Sequence, residues 1–133
     1  ILELVVWETE HGYPIDVSVE ELVRIVQEKY GWRALVLETL TESAIREQLN
    51  LGRPVIVPAE GRELHNPYFR QPGPLYHMLV IKGYTTDGHF ITNDPGTRRG
   101  ADYVYDPAVL LAAAHDWTGE VADGPALGLV MYK

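Results

Sequence analysis

The chain opens on a dense hydrophobic run, in which six of the first seven residues are apolar. These six are Ile1, Leu2, Leu4, Val5, Val6 and Trp7. Their β-branched content favours a strand, whereas positions 1, 2, 5 and 6 also share one face of a helix, so both structures stay open. A run this apolar predicts an element that is buried in the core. Because a domain would then start inside a core element, we expect its extreme N-terminus to be lacking.

Capping residues predict the first clear helix. Ser18 followed three residues later by Glu21 is a capping box, so the helix should begin at Val19. Gly31 supplies the left-handed residue that ends it. Apolar residues at helical spacing mark the buried face of this helix. They are Leu22, Val23, Ile25, Val26 and Tyr30.

A second helix has a similar signal. Thr41 is an N-cap, and the helix that follows places Ile45 and Leu49 on its inner face until Gly52. Asp106 followed by a proline predicts a third helix, over residues 108–115.

Short apolar stretches bounded by turn-forming residues predict strands. They cover residues 32–37, 54–58, 76–84, 89–92, 103–105 and 126–131. The segment 59–75 is proline-rich, has few periodic apolar residues and is long for a loop, which is typical of a lid or the rim of a binding site. Since helices and strands are mixed without a repeat, we predict an α+β fold and one domain over residues 1–133.

Length and charge narrow the classes of function. The chain has 133 residues, the size of one domain, and a formal net charge of −8. This charge disfavours nucleic acids and anionic membranes as partners. No apolar run approaches the roughly 20 residues that span a bilayer, so we expect no membrane insertion. The sequence has no cysteine, so these residues provide no disulfide and no thiol nucleophile.

Candidate chemistry centres on His77, which opens the most hydrophobic predicted strand directly after the proline-rich loop. Asp94 at the end of the next strand is its candidate partner, because a carboxylate on one imidazole nitrogen orients a general base. A histidine at a strand end more often only satisfies a hydrogen bond, and Asp94-Pro95 is also an ordinary turn start.

The register of the hairpin decides whether the two side chains meet. A two-residue turn on Asp87-Gly88 would place Asp94 opposite Ile81, about 13 Å along the strand from His77. A wider connection, between Gly83 and Gly88, would place His77 opposite Asp94. Both registers leave the two side chains on one face of the sheet.

Four stretches carry a resemblance to a known family. They read GRPVIV at 52–57, NPYF at 66–69, YHMLVIKGY at 76–84 and FITNDPGTRRG at 90–100. Together they closely resemble the double-glycine leader (bacteriocin-processing) peptidase-like family of papain-fold cysteine peptidases, over about residues 15–117. The resemblance implies a papain-like fold with a cysteine at the start of a core helix, a histidine opening a strand and an aspartate ending the neighbouring strand.

His77 and Asp94 match the last two of these positions. The resemblance would also make residues 1–10 the tail of the nucleophile helix, with the cysteine and a preceding oxyanion-binding glutamine upstream of Ile1. It implies hydrolysis of a peptide-type bond by thiol-dependent acyl transfer, without a cofactor. Without a thiolate, this chain alone should be inactive.

The proline-rich loop would form one wall of the cleft. Candidate substrate contacts are His65, Asn66, Tyr68, Phe69 and Tyr76. Arg98 and Arg99 would suit an acidic group of a peptide or protein substrate, although adjacent exposed arginines more often form a solvated turn, which we favour.

Two other classes of function remain as alternatives. A metal-dependent hydrolase would use His65, His77 and Asp94, or His89 and His115, but no short ligand spacing is present, so we expect no metal. A non-catalytic module would keep the papain-like cleft only to bind a peptide. The residue at the position of the missing cysteine would discriminate between binding and catalysis.

Overall fold

The computed structural model describes residues 2–14, 16–95, 97–119 and 124–133. Its helices are α1 (Leu2–Glu10), α2 (Val19–Tyr30), α3 (Glu42–Asn50) and α4 (Pro107–Ala113), with a short 3-10 helix at Gly61–Leu64. Its strands are β1 (Arg33–Leu37), β2 (Val55–Glu60), β3 (Tyr76–Tyr84), β4 (Phe90–Asn93), β5 (Tyr103–Tyr105) and β6 (Gly128–Tyr132). None of the helices in these ranges is both long and apolar enough to cross a membrane.

The strands form one sheet in the order β1-β6-β2-β3-β4-β5, and every neighbouring pair is antiparallel. The last strand of the chain therefore lies between the first two. The predicted α+β class is confirmed.

Helices cover both sides of the sheet, because the side chains of each strand alternate between them. On one side, α2 packs Val19 and Val26 against Leu129 of β6. On the other side lies a larger cluster, to which α3, α4 and the 3-10 helix contribute. It includes Ile45, Leu64, Leu79, Leu110 and Ala113. His77 lies two residues before Leu79, so its side chain is on the side of the larger cluster.

The capping predictions are confirmed. Ser18 and Glu21 form the reciprocal capping box at the start of α2, and Gly31 ends that helix with φ of +66°. The side chain of Thr41 accepts a hydrogen bond from the Ala44 amide and so caps α3. These contacts lie within one helical turn, which is why local sequence predicts them.

The proline-rich loop is shorter than predicted, because β2 continues beyond Pro58 to Glu60 and the next four residues form the 3-10 helix. Proline has no amide to donate to a neighbouring strand. Pro58 is tolerated inside β2 because β6 pairs only with Val55 and Ile56 and does not extend to Pro58. The extension lets Ala59 pair with His77.

The N-terminal run is a helix, but its predicted burial is wrong. Val5 and Val6 of α1 are 49% and 47% exposed. The helix meets the rest of the chain near Lys29, whose ammonium group lies 5.7 Å from the ring centre of Trp7 and 3.7 Å from the Glu3 carboxylate. The helix also carries Glu3, Glu8 and Glu10, and it buries only the face that it turns to a neighbour. Ile1 lies outside the described residues.

Candidate active site

His77 and Asp94 form a direct hydrogen bond. The Nε2 atom of the imidazole donates to Oδ1 of the carboxylate. The Asp94 side chain is fully buried, whereas that of His77 is 11% exposed. No group in the described ranges bonds Nδ1 of His77. With the proton on Nε2, Nδ1 carries the free lone pair of a neutral imidazole and can accept a proton.

The pair meets by a register that differs from both predicted alternatives. Gly83 is opposite Ile91, but Ile81 is opposite Thr92 and Val80 opposite Asn93, so β3 contains a bulge at Lys82. Continuing this register places Asp94 level with Leu79, two residues from His77. The contact is therefore diagonal, on the shared face of the sheet.

A three-residue turn accompanies this register. Thr85 and His89 close the hairpin through the Thr85 amide and the His89 carbonyl, 2.8 Å apart, and Gly88 between them has φ of +88°. This is the common hairpin in which a left-handed glycine follows a type I turn. The turn thus has one residue more than a two-residue turn, and the bulge at Lys82 shifts the register by one further residue.

Two side chains hold the second oxygen of Asp94. The Tyr105 hydroxyl donates to Oδ2, and Nδ2 of Asn66 lies 3.5 Å from the same atom. Asn66 also donates to the Tyr105 hydroxyl at 3.0 Å. Because both carboxylate oxygens accept hydrogen bonds, the buried Asp94 is fixed in one orientation.

Burial raises the pKa of the Tyr105 hydroxyl, and its hydrogen bond to Asp94 raises it further. Tyr105 therefore remains a neutral donor through the neutral pH range. It comes from β5, which follows the loop after Asp94, and nothing in the local pattern singles it out.

Gly100 closes the loop that follows Asp94. Its carbonyl accepts from the Asp94 amide at 2.9 Å. A Cβ atom at position 100 would lie 1.7 Å from the Asp94 carbonyl oxygen, so only glycine fits without displacement. Gly96, which belongs to the predicted turn in this loop, lies outside the described residues.

The segment after the 3-10 helix brings two of the predicted contact residues, Asn66 and Phe69, into contact with the pair. Phe69 is buried and packs edge-on against His77, with ring centres 5.1 Å apart. Phe69, Asn66 and the exposed His65 line a cavity of about 220 Å³. Asn66 itself is only 2% exposed, and its amide bonds Asp94 and Tyr105, so it supports the aspartate.

Tyr68 is half exposed and faces a second cavity, of about 330 Å³, together with Arg98 and Arg99. Its backbone amide donates to Oδ1 of Asn66 at 2.9 Å. The Asn66 side chain thus links the Tyr68 backbone to the Asp94 carboxylate.

Tyr76 does not lie with the other candidates, which corrects its prediction as a substrate contact. Its hydroxyl donates to the Val17 carbonyl at 2.8 Å, and its ring lies 5.2 Å from that of Trp117. Tyr76 and His77 are consecutive in β3, so their side chains point to opposite sides of the sheet. Burial, followed by the charge of Asp116, raises the pKa of Tyr76.

The alternative metal ligands have other partners. Nδ1 of His89 lies 3.2 Å from the Asp87 carboxylate, and Nδ1 of His115 lies 2.8 Å from the Gly124 carbonyl. Within the described ranges, no three histidine, aspartate or glutamate side chains come close enough together to hold a metal ion.

Comparison with known proteins identifies a family and a similar fold. The model of the Peptidase_C39 like family matches residues 5–119. The crystal structure of a Bacillus anthracis protein assigned as a C39-like peptidase is similar, with a TM-score of 0.60 and 15% sequence identity. The match covers 88% of this chain and 59% of that protein. No curated protein matches significantly. The likeness in fold, with helices on a six-stranded antiparallel sheet, agrees with the papain-like fold expected from the resemblance.

Proposed function

Because the chain belongs to the Peptidase_C39 like family, we propose that it carries the histidine and aspartate of a cysteine peptidase. The hydrogen bond between His77 and Asp94, which leaves Nδ1 of the imidazole free, is the observation that supports this function. Family membership supports a peptidase-like hydrolase and suggests a peptide or protein substrate. We propose that residues 1–133 form a single peptidase domain.

The proposed reaction is acyl transfer. Nδ1 of His77 takes the proton of a cysteine thiol while Asp94 stabilises the imidazolium. The thiolate adds to the carbonyl carbon of the scissile bond, and the imidazolium returns the proton to the leaving amine as the carbon–nitrogen bond breaks. Water, deprotonated by the same imidazole, then adds to the thioester carbonyl; the carbon–sulfur bond breaks, the acid is released, and the imidazolium returns its proton to the departing thiolate.

Tyr105 and Asn66 act in this proposal as positioning residues. Both bond Oδ2 of Asp94 and leave Oδ1 for His77. A buried carboxylate held on both oxygens keeps the imidazole in one tautomer, with its basic nitrogen on the side away from Asp94.

The nucleophile must come from outside these residues, since they contain no cysteine. The family resemblance supports a cysteine upstream of Ile1, in a helix of which α1 is the tail. It also supports a narrower substrate class, a peptide with a double-glycine leader. The lack of a thiol in these 133 residues favours one competing function, a non-catalytic peptide-binding module.

The test is cysteine alkylation by iodoacetamide in the gene product that includes the sequence preceding Ile1. We expect a cysteine there to react at about pH 7 at least about tenfold faster than in the His77→Ala variant, because a histidine partner lowers the pKa of a thiol.

His89→Ala is the matched control, since His89 also lies beside an aspartate but at the surface, with its side chain 41% exposed. This variant should react like the wild type. A serine, alanine or glycine in place of the cysteine, or alkylation that His77→Ala leaves unchanged, would contradict the peptidase proposal.

A further inference from the structure

We propose that Arg70, Arg98 and Arg99 form a pocket that binds a carboxylate side chain of the peptide substrate. The proposal rests on the proposed function, because it places an acidic residue of that substrate beside His77 and Asp94. The three arginines line one cavity of about 330 Å³ together with Tyr68 and Thr97. Their side chains come from two separate segments, which the fold brings together.

The charges of this pocket are uncompensated. The chain has 19 acidic and 11 basic residues, so a local excess of positive charge is unexpected. Arg24, Arg46 and Lys82 each lie within 4.0 Å of a carboxylate. In the part of the chain that the structure describes, none of the three pocket arginines forms such a pair; other unpaired basic residues exist, but these three share one cavity.

Like charges held around one cavity repel each other, and a bound anion would relieve that repulsion. A guanidinium group also suits a carboxylate, because it can donate two parallel hydrogen bonds. The pocket therefore has the charge and the donors for a single carboxylate.

The pocket is connected to the catalytic pair by short contacts. Arg99 lies over the Tyr68 ring, 5.1 Å from its centre, and the Tyr68 amide is bonded to Asn66, which reaches Asp94. The Arg99 amide donates to the Thr97 hydroxyl at 3.2 Å. The hydrogen bond between the Asp94 amide and the Gly100 carbonyl closes the loop that carries Arg98 and Arg99, and so links this loop to the aspartate.

The surroundings favour a peptide carboxylate over a longer polyanion. A nucleic acid would extend beyond the pocket and meet a molecule of net charge −8. One glutamate or aspartate needs only the pocket, and the half-exposed Tyr68 ring offers an apolar wall for its methylene groups.

The experiment measures peptide binding to the gene product with His77 replaced by alanine, so that peptides are not cleaved. The probes are acetylated, amidated octapeptides of alanine and serine with one glutamate moved along the chain, each paired with its glutamine counterpart. Calorimetry should show at least one glutamate peptide binding about tenfold more tightly than its counterpart, a preference that falls as salt rises.

Two double variants distinguish an effect of the pocket from an effect of the protein's net charge. R98Q/R99Q should abolish the preference, and Arg70→Gln alone should weaken it. R24Q/R33Q removes the same charge from exposed positions on α2 and β1 and should leave the preference intact.

Equal binding of every glutamate and glutamine pair, or no binding of any glutamate peptide, would overturn the proposal. The same holds if both double variants weaken binding alike, or if inorganic phosphate binds more tightly than the best glutamate peptide. A preference for glutamate in a protein whose cysteine fails the alkylation test would overturn only the peptidase proposal, so the two failures are distinguishable.

Discussion

Tyr105 and Gly100 bear on the candidate site without taking part in the proposed chemistry. Tyr105 donates a hydrogen bond to the carboxylate of Asp94, and Gly100 leaves room for the Asp94 backbone. Neither residue is recognisable in the sequence, since a tyrosine in a short strand and a glycine in a turn are both common. Their roles follow from contacts with Asp94 that exist only in the folded chain.

Replacing Tyr105 by phenylalanine should lower the free energy of unfolding by about 1–3 kcal/mol, because a buried carboxylate oxygen loses a donor. The pKa of Tyr105 is raised from its ordinary value of 10.0, so its contribution is fully present below pH 10 and is lost as the pH rises towards the folded pKa. Urea unfolding of both proteins across this range measures the difference.

The control is Tyr84→Phe, which removes an exposed hydroxyl that bonds Asn50 at 2.8 Å. We expect this variant to lose less stability. If Tyr105 positions the aspartate, Tyr105→Phe should also shift the pH profile of cysteine alkylation, whereas Tyr84→Phe should not. Identical behaviour of the two variants would contradict this role.

Gly100→Ala should displace Asp94, because the added Cβ would lie 1.7 Å from a backbone oxygen. We expect a loss of about 1–3 kcal/mol in the free energy of unfolding, together with slower cysteine alkylation. Gly83→Ala is the matched control, since its Cβ would be 3.8 Å from the nearest atom of Ile91. Equal stability of the two variants, measured by urea unfolding, would show that position 100 tolerates a side chain.

At the scale of elements, the bulge in β3 brings the pair together. Without the shift between Ile81 and Gly83, the position of Asp94 along β3 would move by one residue, and its side chain would point to the other side of the sheet. The glycine at position 83 is compatible with such a bulge, but glycine also permits a wider turn. For this reason the sequence left the register open, and both predicted registers were wrong.

The start of α2 depends on a residue from the far end of the chain. Oδ1 of Asp116 accepts from the Val19 amide at 2.9 Å, and Asp116 is only 7% exposed. The carboxylate satisfies an amide at the positive end of the helix, where negative charge is favourable. This contact adds a long-range link to the capping box that the sequence predicted.

Asp116→Ala should therefore lower the free energy of unfolding by about 1–3 kcal/mol, because it leaves a buried amide without an acceptor. Asp106→Ala, which removes the exposed cap of α4, should cost less. Urea unfolding distinguishes the two. An effect of Asp116→Ala no larger than that of Asp106→Ala would contradict the proposed importance of the long-range link.

For the whole molecule, the core lies within the sheet and the helices packed on it, and α1 contributes little to it. Leu79 is fully buried in the larger cluster, whereas Val5 and Val6 are about half exposed. The density of apolar residues at the N-terminus suggested the opposite. Composition alone does not show which apolar residues find a partner surface, because that depends on where the segment lies in the fold.

Substituting serine for Val5 and Val6 should change the free energy of unfolding of this chain by only about 0.5 kcal/mol per site, as for other exposed positions. Leu79→Ala should cost about 2–5 kcal/mol, because it opens a cavity in the core. Thermal or urea unfolding compares them. A loss at Val5 or Val6 as large as that at Leu79 would show that α1 packs into the core.

Short-range patterns along the chain predicted the helix caps, the bounds of β3 and the α+β class, because these depend on hydrogen bonds and side-chain alternation within a few residues. They also marked His77 and Asp94 as candidates on one face. The folded chain places β6 between β1 and β2, brings His77 diagonal to Asp94 through a bulge, and lets Tyr105 hold the carboxylate. These arrangements depend on pairing between distant segments, whose free energies belong to the assembled sheet and not to any local stretch.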